Sequence, residues 1–196
     1  MSSRCIAMCR WHANVILFGL FLADETRLLA NQVDLSVITN KGWVQFTVGG
    51  EWPILKLDTK SPARVALFQI PNPADKGTSD STNVAVRLDE IDSPQASAGL
   101  KRLQKEYAKG TKSRIGSWEV FKSDFKQGNT NYSVRVAFRD VADVHVSIVL
   151  AWPRLSKNAV RYDSEMERIF RELLNSVNGA LGKYPKEKGG VLRHPL

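Results

Sequence analysis

Strand-like alternation of apolar and polar residues recurs along most of this chain and is the feature that most restricts its fold. In 83–91, Val84, Val86 and Leu88 occupy every second position, and in 143–152 apolar residues do so again. A period of two directs alternate side chains to opposite faces of a strand. Strands are predicted at 43–48, 51–57, 64–70, 83–91, 117–125, 132–139 and 143–152. Short turns between consecutive strands predict a mainly antiparallel sheet.

Two other segments have the period of a helix. Serine at an N-cap and proline at the first helical position predict a helix that opens at 93–94 and ends at Gly110. A second helix is predicted to begin at Ser164, which forms a capping-box pair with Glu167, and its apolar stripe runs to Leu181. The predicted fold class is therefore α+β, with a mainly antiparallel sheet flanked by helices and a long C-terminal amphipathic helix.

Size and charge narrow the classes of partner. A chain of 196 residues, 43% hydrophobic and 24% charged, is long enough for one domain with its own core. Its 28 Lys and Arg residues against 20 Asp and Glu residues give a formal charge of +8, which favours an acidic partner. The basic residues are spread along the sequence and no recognised nucleic-acid module is visible, so nucleic acid is not the predicted partner. An acidic protein and an anionic membrane surface remain as the predicted classes of partner.

The N-terminal segment has the composition of an export signal. Arg4 and Arg10 precede an uncharged run over 15–23, and a basic region followed by an apolar one is typical of a secretory signal peptide. Residues 1–30 are therefore predicted to be a signal peptide or an N-terminal membrane anchor. The predicted location is periplasmic or exported, with attachment to the inner membrane if the leader is not cleaved.

Residues 34–182 are predicted to form a single α+β domain, and residues 183–196 a disordered basic tail. The element order of this domain, together with the segments FQIPNPAD, GSWEVFK and VSIVLAWPRL ahead of the last helix, resembles the Mog1/PsbP-like superfamily. That resemblance implies an antiparallel sheet between helices, an αβα sandwich. Because known members mostly bind other proteins, it also implies a protein-binding role by analogy of fold.

Residues suited to catalysis or metal binding are few. Cys5 and Cys9 both lie in the predicted leader, and His145 is the single histidine of the predicted domain, so neither a cysteine nor a multi-histidine metal site is expected and no cofactor is predicted. Asp143, His145 and Ser147 share one strand face in an order that suggests a catalytic triad. Same-face neighbours on a strand stand about 6.5–7 Å apart, however, whereas a triad needs contacts of about 2.6–3.2 Å. A polar strand face is the preferred interpretation, and an exported hydrolase that uses His145 is the alternative.

A polar surface on the last strand hairpin is the predicted binding site. Arginine and tryptophan, which are enriched among interface hot spots, are predicted to meet there beside an acid and a histidine. The candidate residues are Arg135, Arg139, Asp143, His145, Trp118 and Trp152. The alternative interpretation is that a helix or a loop covers this face and its charges pair with one another.

The predicted function is a non-enzymatic protein-binding module of the bacterial cell envelope. Two versions remain open, an immunity protein that neutralises a toxin and an envelope chaperone or assembly factor. Besides the hydrolase, a peripheral protein that binds anionic membranes through the basic tail and an uncleaved leader is an alternative.

Overall fold

A computed structural model describes residues 32–39, 41–59, 63–71, 82–154 and 159–185. These residues form ten strands and two helices. The strands are β1 (Gln32–Ile38), β2 (Gly42–Gly49), β3 (Ile54–Asp58), β4 (Ala63–Ile70), β5 (Thr82–Glu90), β6 (Thr111–Ile115), β7 (Trp118–Gln127), β8 (Thr130–Val141), β9 (Val144–Pro153) and β10 (Asn178–Leu181). The helices are α1 (Pro94–Tyr107) and α2 (Ala159–Ser176). The predicted leader, and the predicted tail from residue 186 onward, lie outside the described residues.

The strands form two antiparallel sheets. The larger has seven strands in the order β3-β4-β5-β9-β8-β7-β6, and the smaller has three in the order β1-β2-β10. Each of their pairings is antiparallel, as the short turns between strands predict. In the larger sheet β3 and β6 are the two edge strands, and in the smaller sheet β1 is an edge strand.

Each face of the larger sheet packs against a different helix. On one face, apolar side chains of β4, β5, β8 and β9 pack against both α2 and the smaller sheet. The core residues from α2 and from Val177, which directly follows it, are Tyr162, Met166, Ile169, Phe170, Leu173, Leu174 and Val177. On the opposite face, Leu100 of α1 packs against Phe121, Val134, Val136 and Phe138. The predicted apolar stripe of the second helix is thus buried as expected up to Val177.

The α+β prediction is wrong, because the described chain is mainly β, with ten strands and two helices. The prediction of one sheet flanked by helices did not include the smaller sheet, which packs beside α2 on one face of the larger sheet. Three of the ten strands, β1, β6 and β10, were not predicted. β6 is an exposed, polar edge strand and β10 has only four residues, so neither shows the alternation of a half-buried strand.

The predicted long C-terminal helix is also not formed. α2 begins at Ala159, five residues before Ser164, and Ser164 bonds back to the carbonyl of Val160 inside the helix instead of capping it. The helix ends at Ser176, and the chain turns into β10, in which Leu181 is 66% exposed. The backbone of this last segment pairs with β2, and this tertiary contact overrides the helical pattern.

The start of the first helix is confirmed. The Ser93 hydroxyl accepts a hydrogen bond from the backbone N–H of Ala96 at 3.3 Å, and Pro94 occupies the first helical position. Neither α1 nor α2 is long and apolar enough to span a membrane.

Candidate functional site

Arg135 and Trp152 hold α2 against the larger sheet. The Arg135 guanidinium lies 4.9 Å from the centre of the Trp152 ring, and its Nε donates to Glu167 Oε1 at 2.6 Å. The buried Trp152 indole N–H donates to Asp163 Oδ1 at 2.6 Å. Both partners belong to α2, so a cation–π pair and two charge-assisted hydrogen bonds join the helix to the sheet.

Arg139 and Trp118 form a second such pair at the end of α2. The Arg139 guanidinium lies 5.0 Å from the Trp118 ring, and its Nη2 donates to the carbonyl of Val177 at 3.3 Å. The Trp118 indole N–H donates to the carbonyl of Leu174 at 3.2 Å. Burial lowers the pKa of Arg139. These donors bind carbonyl groups that the last turn of a helix leaves without intrahelical partners.

Asp143 and His145 lie away from these two pairs. Asp143 is in the turn between β8 and β9, where its carboxylate accepts hydrogen bonds from Thr39 Oγ1 at 2.5 Å and from the Lys41 backbone N–H at 3.3 Å. His145 lies on the sheet face that carries α1, and its Nδ1 is 2.5 Å from Asp140 Oδ1. The structure therefore does not bring the six predicted residues onto one surface. The alternative interpretation instead describes one group of them, because α2 covers the sheet face that carries Arg135, Arg139, Trp118 and Trp152.

The geometry around His145 does not assemble a triad from Asp143, His145 and Ser147. The Asp143 carboxylate faces Thr39, and Ser147 is fully buried, with a hydroxyl that has no hydrogen-bond partner in the described part of the chain. A polar groove of about 470 Å³ does lie beside His145, between α1 and the strands β7, β8 and β9. Across the described residues, no three acidic or histidine side chains are grouped closely enough to hold a metal ion.

A buried ion pair that the sequence did not reveal lies under α1. Arg87 binds Asp89 through two hydrogen bonds of 2.7 Å, and Asp89 is fully buried. Hydrogen bonding to Asp89 raises the pKa of Arg87. A Cβ at Gly99 of α1 would lie 2.6 Å from the Arg87 guanidinium, so the absence of a side chain at Gly99 lets the helix approach this pair closely.

The side of the molecule where β1 faces β3 has a cavity of about 190 Å³, here called the β1–β3 cavity. It lies between the two sheets, at the edge strand of each. Its walls come from β1, β2, β3, β4 and β5 and are largely apolar. The apolar lining residues are Leu35, Val37, Phe46, Ile54, Leu57, Val65, Ala66, Phe68, Val86 and Leu88.

One charged side chain is buried in this apolar wall. Arg64 is 6% exposed, and its Nη2 donates to Glu90 Oε1 at 3.1 Å. Its Nε and Nη1 atoms are buried without a hydrogen-bond partner among the described residues. A buried donor left unpaired costs about 1–3 kcal/mol, so Arg64 is held in an unfavourable state. The sequence feature that could have identified it is a cation on the inward face of a predicted strand, the face that also carries Ala66 and Phe68.

The mouth of the β1–β3 cavity is bordered by the edge strand β3. Ile54, Leu55 and Leu57 are 52%, 49% and 51% exposed. Ile54 and Leu57 pair in register with Phe68 and Ala66 of β4, so they belong to the inward face of the sheet. They remain half exposed because the smaller sheet does not extend over them.

No protein-family model matches the chain, and the comparison with curated proteins gives no match. Two solved structures are similar to it at low identity. A protein from Bacteroides thetaiotaomicron is 15% identical with a TM-score of 0.47, over 74% of this chain and 51% of that one. The chain thus spans about half the length of that relative. LpqN, involved in cell envelope biogenesis of Mycobacterium tuberculosis, is 11% identical with a TM-score of 0.44, over 76% of this chain and 91% of that one.

Proposed function

We propose that this chain is a non-enzymatic protein-binding module of the bacterial cell envelope that binds an extended segment of its partner along the edge of β3. The observation on which this proposal rests is the exposed apolar edge, where Ile54, Leu55 and Leu57 are each about half exposed. An edge strand offers unpaired backbone groups to another strand, and recognition by strand addition combines those hydrogen bonds with pockets for alternate side chains.

The opposite edge of the same sheet supports this choice by contrast. In β6, Lys112 and Arg114 are exposed, and Thr111 at its start is polar. Charged side chains are a common means of keeping an edge strand from pairing with other chains. The larger sheet therefore has one protected edge and one apolar edge, and the apolar edge is where a partner strand gains the most buried surface.

The chemistry of β3 and the charge of the chain define the partner segment. Alternate apolar side chains of an added strand would cover Ile54 and Leu57 and extend the wall of the β1–β3 cavity. Lys56 is exposed on the same strand, and the whole chain has a formal charge of +8. Acidic residues beside the apolar positions would complement these charges and speed association.

An envelope location is proposed from the basic and apolar leader of residues 1–30. Within that location, an immunity protein and an envelope chaperone or assembly factor both fit a strand-binding edge. Inhibition of a toxin encoded beside this protein's gene would favour the immunity version. Prevention of aggregation of unfolded envelope proteins would favour the chaperone version.

The first prediction tests the edge itself. Leu55→Lys places a charge on β3 and is expected to reduce capture of a stoichiometric protein from envelope extract at least tenfold. Thr111→Lys, which adds the same charge to the opposite edge, is the matched control and is expected to bind as the unchanged chain does. Hydrogen exchange of the captured complex is expected to slow at the backbone amides of residues 54–58.

Three results would contradict this proposal. One is the absence of any stoichiometric partner, and another is a partner that binds Leu55→Lys and the unchanged chain equally. The third is a homodimer that depends on Leu55, because β3 would then pair with a second copy of the chain. Light scattering of the purified protein distinguishes this last case.

A further inference from the structure

The β1–β3 cavity has apolar walls from both sheets, and it differs from an ordinary hydrophobic core in two ways. Its mouth lies between two edge strands. Arg64, 6% exposed, is one of its lining residues, and the Nε and Nη1 atoms of this side chain are buried without hydrogen-bond partners in the described residues. Apolar walls with a few polar groups that can bind a ligand are the usual composition of a small-molecule site.

The charges around Arg64 restrict the ligand. Its guanidinium already pairs with Glu90, whose side chain is 17% exposed, and Asp58 also lines the cavity. The positive charge of Arg64 is therefore already paired with Glu90 behind the lining, and Asp58 adds a negative side chain to the lining itself. A ligand with a further negative charge would have to lose its hydration beside the Asp58 carboxylate, which is unfavourable. Among the described residues, Nε and Nη1 of Arg64 have no acceptor of hydrogen bonds, and a neutral oxygen supplies one.

We propose that the β1–β3 cavity binds an uncharged single-chain amphiphile, an acyl ester, whose ester oxygens accept hydrogen bonds from Nε and Nη1 of Arg64. The hydrocarbon chain lies between the sheets, against Phe46, Phe68 and Val86. A volume of about 190 Å³ is somewhat larger than the apolar cavity of about 150 Å³ that binds benzene, so the site takes one short acyl chain. Because Nε and Nη1 are enclosed, the guanidinium turns toward the cavity as the ligand enters.

This ligand site is independent of strand addition at β3. The ligand occupies the space between the sheets, whereas a partner strand pairs with the backbone at the outer edge of the larger sheet. Ile54 and Leu57 border both regions, but Arg64 belongs to the cavity alone. Variants of Arg64 and of Leu55 therefore separate the two proposals.

The second prediction is tested by titration calorimetry of the full chain. Mono-octanoylglycerol, used below its micellar concentration, is expected to bind with one-to-one stoichiometry. Octanoate, which has the same chain with a charged head, is expected to bind at least tenfold more weakly, and glycerol, which has no chain, not at all. Arg64→Lys keeps the positive charge for Glu90 but removes the Nε and Nη1 donors from their positions, because the lysine donors all lie on one nitrogen atom. It is expected to raise Kd for mono-octanoylglycerol at least tenfold. Arg114→Lys, on the exposed edge β6, is the matched control and is expected to leave Kd unchanged.

A second variant keeps the test decisive if Arg64→Lys does not fold. Ala66→Leu fills the cavity with apolar volume and is expected to abolish binding of mono-octanoylglycerol, with folding checked by thermal melting. If octanoate bound as tightly as the ester, the proposal that the ligand is uncharged would be wrong. No binding of the ester, or binding unaffected by Arg64→Lys or by Ala66→Leu, would overturn the site. Leu55→Lys is expected to retain ester binding, so loss of the protein partner alone bears only on the β3 edge.

Discussion

At the scale of single residues, arginine and tryptophan show why residue type alone does not identify a binding surface. Both are enriched at interfaces because they combine a large apolar area with directional donors. Those same properties let Arg135, Arg139, Trp118 and Trp152 hold α2 within the molecule. Arg64 is the reverse case, because a residue type typical of protein surfaces lies in the interior with two donors that have no partner among the described residues.

The contribution of the Trp152 indole to the attachment of α2 is the third prediction. Trp152→Phe retains an aromatic ring beneath Arg135 but removes the donor to Asp163, so it is expected to lower the free energy of unfolding by about 1.5–3 kcal/mol, the range for a hydrogen bond to a charged group. Chemical denaturation measures the change. Combining it with Asp163→Ala completes a double-mutant cycle, and a coupling energy near zero would contradict the bond.

At the scale of elements, strand register explains why the predicted polar face is not formed. The two-residue turn at Ala142 and Asp143 pairs Val141 with Val144. Odd-numbered residues of β8 therefore share a face with even-numbered residues of β9, so Arg135 and Arg139 face α2 while His145 faces α1. Alternation within each strand was predicted correctly, but turn length determines how the faces of two strands combine.

The cap of α1 is an element whose contribution follows from local sequence, and it gives the fourth prediction. Ser93→Ala removes the acceptor for the Ala96 N–H and is expected to cost about 0.5–2 kcal/mol of stability, as for other N-cap serines. The measurement is again the free energy of unfolding by denaturant. Ser93→Asp retains an acceptor at this position and is expected to restore stability, and a failure to do so would argue against a capping role.

At the scale of the whole molecule, β10 connects the C-terminal side of α2 to the smaller sheet. Gly179 pairs with Val44 of β2, and a Cβ at this position would lie 2.5 Å from the Trp43 carbonyl oxygen and 2.7 Å from a Val141 methyl group. Beyond β10, Tyr184 packs edge-on against Trp43 at 5.3 Å and accepts a hydrogen bond from Ser36 at 3.2 Å. The described chain therefore closes on the smaller sheet through contacts distant in sequence.

The fifth prediction tests this closure. Gly179→Ala is expected to destabilise the protein by about 1–3 kcal/mol, the range for overpacking a close contact, and to speed hydrogen exchange in β2 as well as in β10. Leu181→Ala, in the same strand at a residue that is 66% exposed, is the control and is expected to have little effect. Equal stability of the two variants would mean that β10 is not tightly attached.

The positions of seven strands, the opening of the first helix and the apolar stripe of the second could be predicted from sequence, because each depends on residues close together in the chain. The strands β6 and β10 could not, since they are stabilised by pairing and not by a buried face of their own. The candidate site shows the same division. Arg64 is visible in sequence as a cation at an inward strand position, but its unpaired donors and the cavity beside it depend on residues from five strands.

The sequence by itself determined where the chain alternates, which residues of each strand share a face, and that the strand pairing is antiparallel. Only the tertiary structure decided that there are two sheets, that α2 and the smaller sheet share one face, and that β3 remains an open apolar edge beside a buried arginine. The physical reason is that periodicity gives a segment two faces and says nothing of what covers them. Contacts between residues distant in sequence decide that coverage, and here they leave one side of the sandwich open.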